Sequence, residues 1–125
     1  MPRLFLLDDS GGRLALLAAG MASLQGAPGF SQVIPCSPAA PSDDPLPAAA
    51  LAEVGLLLPP VVQNFSTLER SPADLLVSIG REPFPGASAH WACSFPDDDA
   101  PPLARRAGAR IARDLLARLL DTLLR

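Results

Sequence analysis

The stretch Asp8-Asp9-Ser10-Gly11-Gly12-Arg13 holds the residue types from which an oxyanion cradle is made. A glycine-rich turn feeding a helix points several backbone N–H groups at one spot, and the helix dipole adds partial positive charge there. Arg13 ends the turn with a guanidinium suited to gripping an oxyanion through two parallel N–H bonds. Asp9, Ser10, Gly11, Gly12 and Arg13 are therefore the candidate anion contacts. The same loop carries an opposing feature, since Asp8 and Asp9 repel an incoming dianion. A repulsion of about 2 kcal/mol already weakens binding ~30-fold. Two bland readings stand beside this one. Gly11 and Gly12 serve a tight turn whether or not anything binds, and Arg13 can instead pair with Asp8 or Asp9.

Elsewhere the chemistry-bearing residues are sparse. Cys36 and Cys93 form neither a metal-ligand spacing nor a dense disulfide framework. The single histidine, His90, stands next to Trp91, a pair expected to pack in a strand. Asp97, Asp98 and Asp99 make a proline-flanked acidic run, most simply an exposed loop. No metal and no cofactor is expected.

These groups must be positioned by a chain of 125 residues, which has the length of one domain (residues 1–125) with one real core. Aromatic residues are only 5% of the chain and Tyr is absent, so that core must be Leu, Val, Ile and Ala. Arg3–Leu7 is a continuous apolar run of the buried parallel-strand type. Arg13–Leu24 reads as a helix apolar nearly all round, stopped near Gly26 and Pro28. Phe30–Cys36 and Ala73–Ile79 are further strands, and Ala89–Cys93 is a short one. Leu46–Val54 is a short Ala/Leu helix, Ser66–Arg70 a helical turn, and Pro59-Pro60 breaks the stretch between them. In the closing helix, Leu103–Leu124, the residues Leu103, Ala107, Ile111, Leu115, Leu116, Leu119 and Leu123 fall along one side. Arg106, Arg110, Arg113, Asp114, Arg118 and Asp121 fall along the other, a solvated face. Alternating strands and helices imply a mostly parallel sheet with helices on both faces. Ligands of such folds bind at the carboxyl ends of the strands, where the loops Asp8–Arg13, Gly80–Ser88 and Phe95–Asp99 converge.

Taken in order, these features resemble the low-molecular-weight protein tyrosine phosphatase and arsenate reductase superfamily. That family opens with an apolar strand, a Cys-x5-Arg loop and a helix. Setting Arg13 on the family arginine puts Leu7 at the cysteine, Ser10 at the usual asparagine and Leu14 at the usual serine. Ala48–Gly55 is similar to the family's alanine-rich helix ending in Glu-x-Gly, and Ala73–Ile79 to its third strand. His90-Trp91 followed by Phe95-Pro96-Asp97 resembles its His-Trp … Asp-Pro segment. The resemblance implies a three-layer α/β sandwich with a small four-stranded parallel sheet and a long C-terminal helix. It also puts Asp97 at the general-acid position, although Asp98 replaces the following proline.

The departure decides the functional expectation. The family's nucleophile is a thiolate, and Leu7 has no lone pair to offer. The resemblance therefore implies a catalytically inactive member, a pseudoenzyme with a residual oxyanion-binding or regulatory, protein-binding role. Its ligand would be a phosphate- or arsenate-like oxyanion, and its partner a protein. An active phosphatase or arsenate reductase with a displaced nucleophile (Cys93, Asp8 or Asp9) is the alternative. A receiver-like signalling domain is the third reading, because Leu-Leu-Asp-Asp-Ser after a strand also suits paired Mg²⁺-holding acids. It lacks a Lys and offers Ser78 where the third strand needs an Asp. A net charge of −3 argues against a nucleic-acid partner. The apolar run Leu14–Ala22 is far short of the ~20 residues a membrane span requires, and Asp8-Asp9 upstream of it opposes a signal peptide. A cytoplasmic location is expected.

Overall fold

The computed structural model describes residues 1–124. Its frame is a parallel five-stranded sheet in the order β3-β2-β1-β4-β5. The strands are β1 (Leu4–Asp8), β2 (Val33–Ser37), β3 (Gln63–Asn64), β4 (Leu75–Gly80) and β5 (Ala89–Ala92). Helix α1 (Arg13–Gln25) follows β1, α2 (Leu46–Ala52) follows β2, and α3 (Pro102–Leu124) ends the described chain. The two-residue β3 is a fifth strand beyond the four expected, paired through Cys36↔Gln63 and Ser37↔Asn64. Its brevity, directly after Pro59-Pro60, explains why no alternation announces it.

Strand β1 lies at the centre of the sheet and all five of its residues are buried. Coverage on both faces is what a continuous apolar run requires. Leu4 and Leu6 join Leu14, Leu17, Ala18, Val77, Ile79 and the α3 residues Leu116 and Leu120 in the larger core. Phe5 and Leu7 point the other way, into a smaller core with Ile34, Cys36 and Leu76. The three α-helices pack against one another on the first face. The third layer, on the second face, is built of a 3-10 turn (Phe65–Thr67) and of the crossover Arg81–Ser88, through Phe65, Leu68, Phe84 and Ala87. Pro59, Pro60, Pro83 and Pro85 remove the backbone donors a helix there would need.

Helix α3 sits differently from its apolar stripe. Its buried residues are Ala109, Ala112, Arg113, Leu116 and Leu120, while Leu103 and Ile111 are 77% and 68% exposed. Small residues explain the rotation: Ala109 and Ala112 let α3 approach the alanine-rich α1 closely, where a row of leucines would hold it off. Arg113, expected on the solvated face, is buried and donates from Nη1 to the Ala50 carbonyl at 2.8 Å. That carbonyl lies in the last turn of α2, where oxygens have no partner within the helix. Glu53 and Asp114 accept the remaining guanidinium bonds. Among the described residues no helix is long and apolar enough to cross a membrane.

Candidate oxyanion loop

Asp8 is the last residue of β1, and alternation along the strand turns its side chain toward α1. There its carboxylate collects the donors of the loop. Oδ1 accepts from the Ser10 backbone N–H at 2.5 Å and from Ser10 Oγ at 2.6 Å. Oδ2 accepts from the Ala15 N–H at 2.9 Å, and the Leu14 N–H also donates to this carboxylate. These are the amides of the turn and of the first turn of α1, the groups a bound oxyanion would use. Burial pushes the Asp8 carboxyl above the ordinary carboxylate range, and the bonds from Ser10, Ala15 and Leu14 only partly pull it back.

Leu7 is turned the opposite way. Its side chain is 2% exposed and lies in the second core with Cys36 and Phe5. The residue that the resemblance sets on the family cysteine is thus an aliphatic group turned away from the loop amides. The side chain presented to the loop amides is that of Asp8. Counting back from Arg13 fixes a spacing, but strand alternation fixes a direction, and the two differ here by one residue.

Gly11 and Gly12 both adopt the left-handed conformation, with φ of 75° and 82°. They are also walled in. A Cβ on Gly12 would stand 2.4 Å from Val62 Cγ1, and one on Gly11 would stand 2.8 Å from Ser42 Cβ. The Gly11 carbonyl further accepts the Ser42 N–H at 2.8 Å. The outer side of the turn is therefore covered by the chain itself.

Arg13 pairs with neither Asp8 nor Asp9. Its Nε donates to the Ser10 carbonyl at 2.8 Å, and Nη1 reaches Asp98 Oδ1 at 2.8 Å and Asp44 Oδ2 at 3.2 Å. The guanidinium carbon lies 4.6 Å from the centre of the Phe95 ring. Arg105 binds the same Asp44 oxygen at 2.7 Å, so two cations share one carboxylate. Although burial works in the other direction, the Leu46 N–H together with Arg105 and Arg13 holds Asp44 below the usual carboxylate range. The acidic loop reaches Arg13 through Asp98. Asp97 is exposed, and its backbone carbonyl accepts a bond from Arg105 Nε at 3.1 Å.

The three loops do converge at the carboxyl ends of the strands. A cleft of about 250 Å³ is lined by Asp9, Ser10, Gly80, Arg81, Cys93 and Phe95. Asp9 folds over β4, so closely that a Cβ on Gly80 would meet its Oδ1 at 2.7 Å. Cys93 faces this cleft half-buried, and burial together with the Asp8 charge raises its pKa. Cys36 is remote from the cleft, buried on the second face, with its thiol pushed up to about 12 by burial. Trp91 packs in the larger core, whereas His90 stands on the second face and meets Ser78. Asp44 and Asp98 could not be found from the sequence, since both sit in Pro/Asp-rich loops that differ in nothing from a solvated surface.

No protein-family model matches the chain, and no curated protein does. Among solved structures, an arsenate reductase described in the phosphate-binding state matches with a TM-score of 0.73 at 15% identity, over 99% of this chain and 97% of that one. An arsenate reductase described in the reduced state matches with the same TM-score at 18% identity, with the same coverage. At these identities the likeness is one of fold: the chain is an arsenate reductase-like α/β structure, with a five-stranded parallel sheet and a long C-terminal helix, over its whole length.

Proposed function

We propose that this chain is one arsenate reductase-like domain that has lost catalysis and keeps its oxyanion loop occupied by its own carboxylate. The observation that carries this reading is the Asp8 side chain, which accepts from Ser10, Leu14 and Ala15 where an external oxyanion would sit. Arg13, the other half of such a cradle, is engaged with Ser10, Asp44 and Asp98. An incoming dianion would compete with the built-in anion for the same amides and be repelled by it. At ~4 Å and an effective dielectric near 20, each pair of unit charges costs about 4 kcal/mol. Residual affinity for phosphate- or arsenate-like ions is accordingly weak, and the role of the domain is regulatory, through a protein partner. One of the matched arsenate reductases is described in a phosphate-binding state, which makes that ion the first to test.

An active enzyme with a displaced nucleophile has one observation in its favour, because Cys93 lines the cleft that Asp9 and Ser10 border. Its environment opposes the chemistry. A thiol must ionise to attack, and both burial and the Asp8 charge hold Cys93 in its protonated form. The deciding experiment is turnover of 4-nitrophenyl phosphate and of arsenate with a thiol reductant, alongside calorimetric titration with phosphate and vanadate. No turnover and no binding below millimolar concentrations are expected. Turnover that disappears in both Arg13→Ala and Cys93→Ser would remove the proposal.

A further inference from the structure

On the second face of the sheet, Cys36, Leu7, Ser78 and His90 stand in one row across β2, β1, β4 and β5, in register. Two of them form a pair that the oxyanion loop does not involve. Ser78 Oγ lies 2.6 Å from His90 Nδ1, and the Phe84 N–H donates to the same oxygen at 3.2 Å. With Oγ accepting from Phe84, the hydroxyl hydrogen is best satisfied by donation to Nδ1, which makes the imidazole nitrogen the acceptor. A serine hydroxyl hydrogen-bonded to an imidazole is the arrangement that activates an oxygen nucleophile.

Two further observations bear on this pair. His90 Nε2 is buried and has no hydrogen-bond partner among the described residues. No third side chain among the described residues orients the imidazole through that nitrogen, so the ring is held by Ser78 and its packing alone. Ser78 is 2% exposed, yet it borders a cavity of about 200 Å³ with Leu7, Pro38, Pro83 and Phe84. The serine thus lies at the wall of an apolar recess at the carboxyl end of the strands, where α/β sheets hold their ligands. Asp8, Asp9 and Glu82 also border the recess, and no basic residue among the described ones does. That charge distribution rejects phosphates and carboxylates, and the small volume admits only a short group.

We propose that Ser78 and His90 form a nucleophile–base pair that cleaves short-chain carboxylic esters carrying no negative charge. The Oγ–C bond forms at the ester carbonyl as the hydroxyl proton passes to His90 Nδ1. The C–O bond to the alcohol then breaks, and Nδ1 returns that proton to the departing oxygen. Water attacks the acyl-serine, gives a proton to Nδ1, and the carboxylic acid leaves as Ser78 Oγ takes the proton back. The Ser78 and His90 side chains lie on the opposite face of the sheet from the Asp8 side chain, although Asp8 and Asp9 border the recess, so the chemistry of the pair needs neither ligand nor turnover at the oxyanion loop.

The test uses the intact chain with a fluorophosphonate probe and with 4-nitrophenyl acetate, with adducts located by peptide mass. The expected result is an adduct on Ser78 that forms faster than any on the exposed Ser66. In His90→Gln the labelling and the ester hydrolysis fall by ~100-fold or more, as loss of a general base requires. The site of the adduct in the wild type decides the matter even where a variant folds poorly. Labelling absent from Ser78, spread over exposed serines, or unchanged in a folded His90→Gln protein overturns the proposal.

Discussion

The Asp8 carboxylate accepts the Ala15 N–H at 2.9 Å, so the last residue of β1 caps the first turn of α1 from within. Helix α1 has no side-chain cap at Gly12 and no acidic residue in its first turn. The charge that a helix N-terminus attracts is supplied here from the preceding strand. One contact therefore ends the central strand, starts the central helix and fills the concavity between them. With that carboxylate in place, the amides of Ser10 and Ala15 are satisfied from within the chain.

This arrangement gives stability a definite pH dependence. Burial raises the Asp8 pKa in the folded chain above its unfolded value near 3.9, against the pull of Ser10 and the α1 amides. A raised acid contributes stability that is complete below the unfolded pKa and is lost as pH rises through the folded pKa. Each unit of upward shift corresponds to about 1.4 kcal/mol. Thermal melts of the wild type and Asp8→Asn at pH 4, 5.5 and 7 should show the variant gaining ground as pH rises from the unfolded pKa to the folded one, and no further change above it. A difference that moves the other way would mean that the helix amides outweigh burial.

The direction of Leu7 and Asp8 predicts where a thiol must go to meet the loop amides. Leu7→Cys places sulfur in the second core beside Cys36, removes a buried aliphatic group and gains no anion chemistry; loss of core volume costs about 1–3 kcal/mol. Asp8→Cys places sulfur against the Ser10, Leu14 and Ala15 amides, which favour its ionised form. Iodoacetamide should alkylate the introduced thiol of Asp8→Cys at lower pH than Cys93, and vanadate should protect it. Equal protection by vanadate in Leu7→Cys would show that the loop is read in the wrong register.

Much of this was legible in the sequence because the elements are short and unambiguous. The apolar run Arg3–Leu7 reads as a buried strand, and the Gly11-Gly12 turn before Arg13–Leu24 reads as the entry to a buried helix, as the structure has them. The convergence of three loops followed from their place at the carboxyl ends of parallel strands. Other features rested on distances that no spacing reveals. The stripe on α3 favoured Leu103 and Ile111, yet close packing on an alanine-rich neighbour selected Ala109 and Ala112. Arg13 found its acids in Asp44 and Asp98, both far along the chain, where the sequence offered either an anion contact or local pairing with Asp8 or Asp9. The Ser78–His90 pair depends on the β4–β5 register, which a histidine beside a tryptophan does not announce.

Arg113 joins α3 to the end of α2, and its loss should be felt as an unsatisfied carbonyl as well as a vacancy. Arg113→Ala strips the Ala50 carbonyl of its 2.8 Å donor and leaves Glu53 with Arg110 alone. A buried acceptor left unpaired costs about 1–3 kcal/mol, and the lost stem adds packing. Urea unfolding should therefore show a loss of about 2–4 kcal/mol. Arg118→Ala, on the exposed side of the same helix, should change stability by less than about 0.5 kcal/mol. Equal effects for the two would mean that the buried guanidinium contributes nothing beyond surface charge.

Gly12 separates the conformational demand of the turn from the closeness of its cover. A methyl group there must adopt φ of 82° and also displace Val62 from 2.4 Å, so Gly12→Ala carries two penalties. Gly55 has a comparable φ of 99° with nothing within 4 Å of its Cβ position, so Gly55→Ala carries only the first. The left-handed region costs an alanine about 1–2 kcal/mol. Gly55→Ala should lose that amount, and Gly12→Ala should lose about 1–3 kcal/mol more, as overpacking requires. Trimming the cover should recover the difference: Gly12→Ala combined with Val62→Ala should be more stable than Gly12→Ala alone. If the double variant is no better, the turn is not held shut by Val62 and its amides are open to solvent from that side.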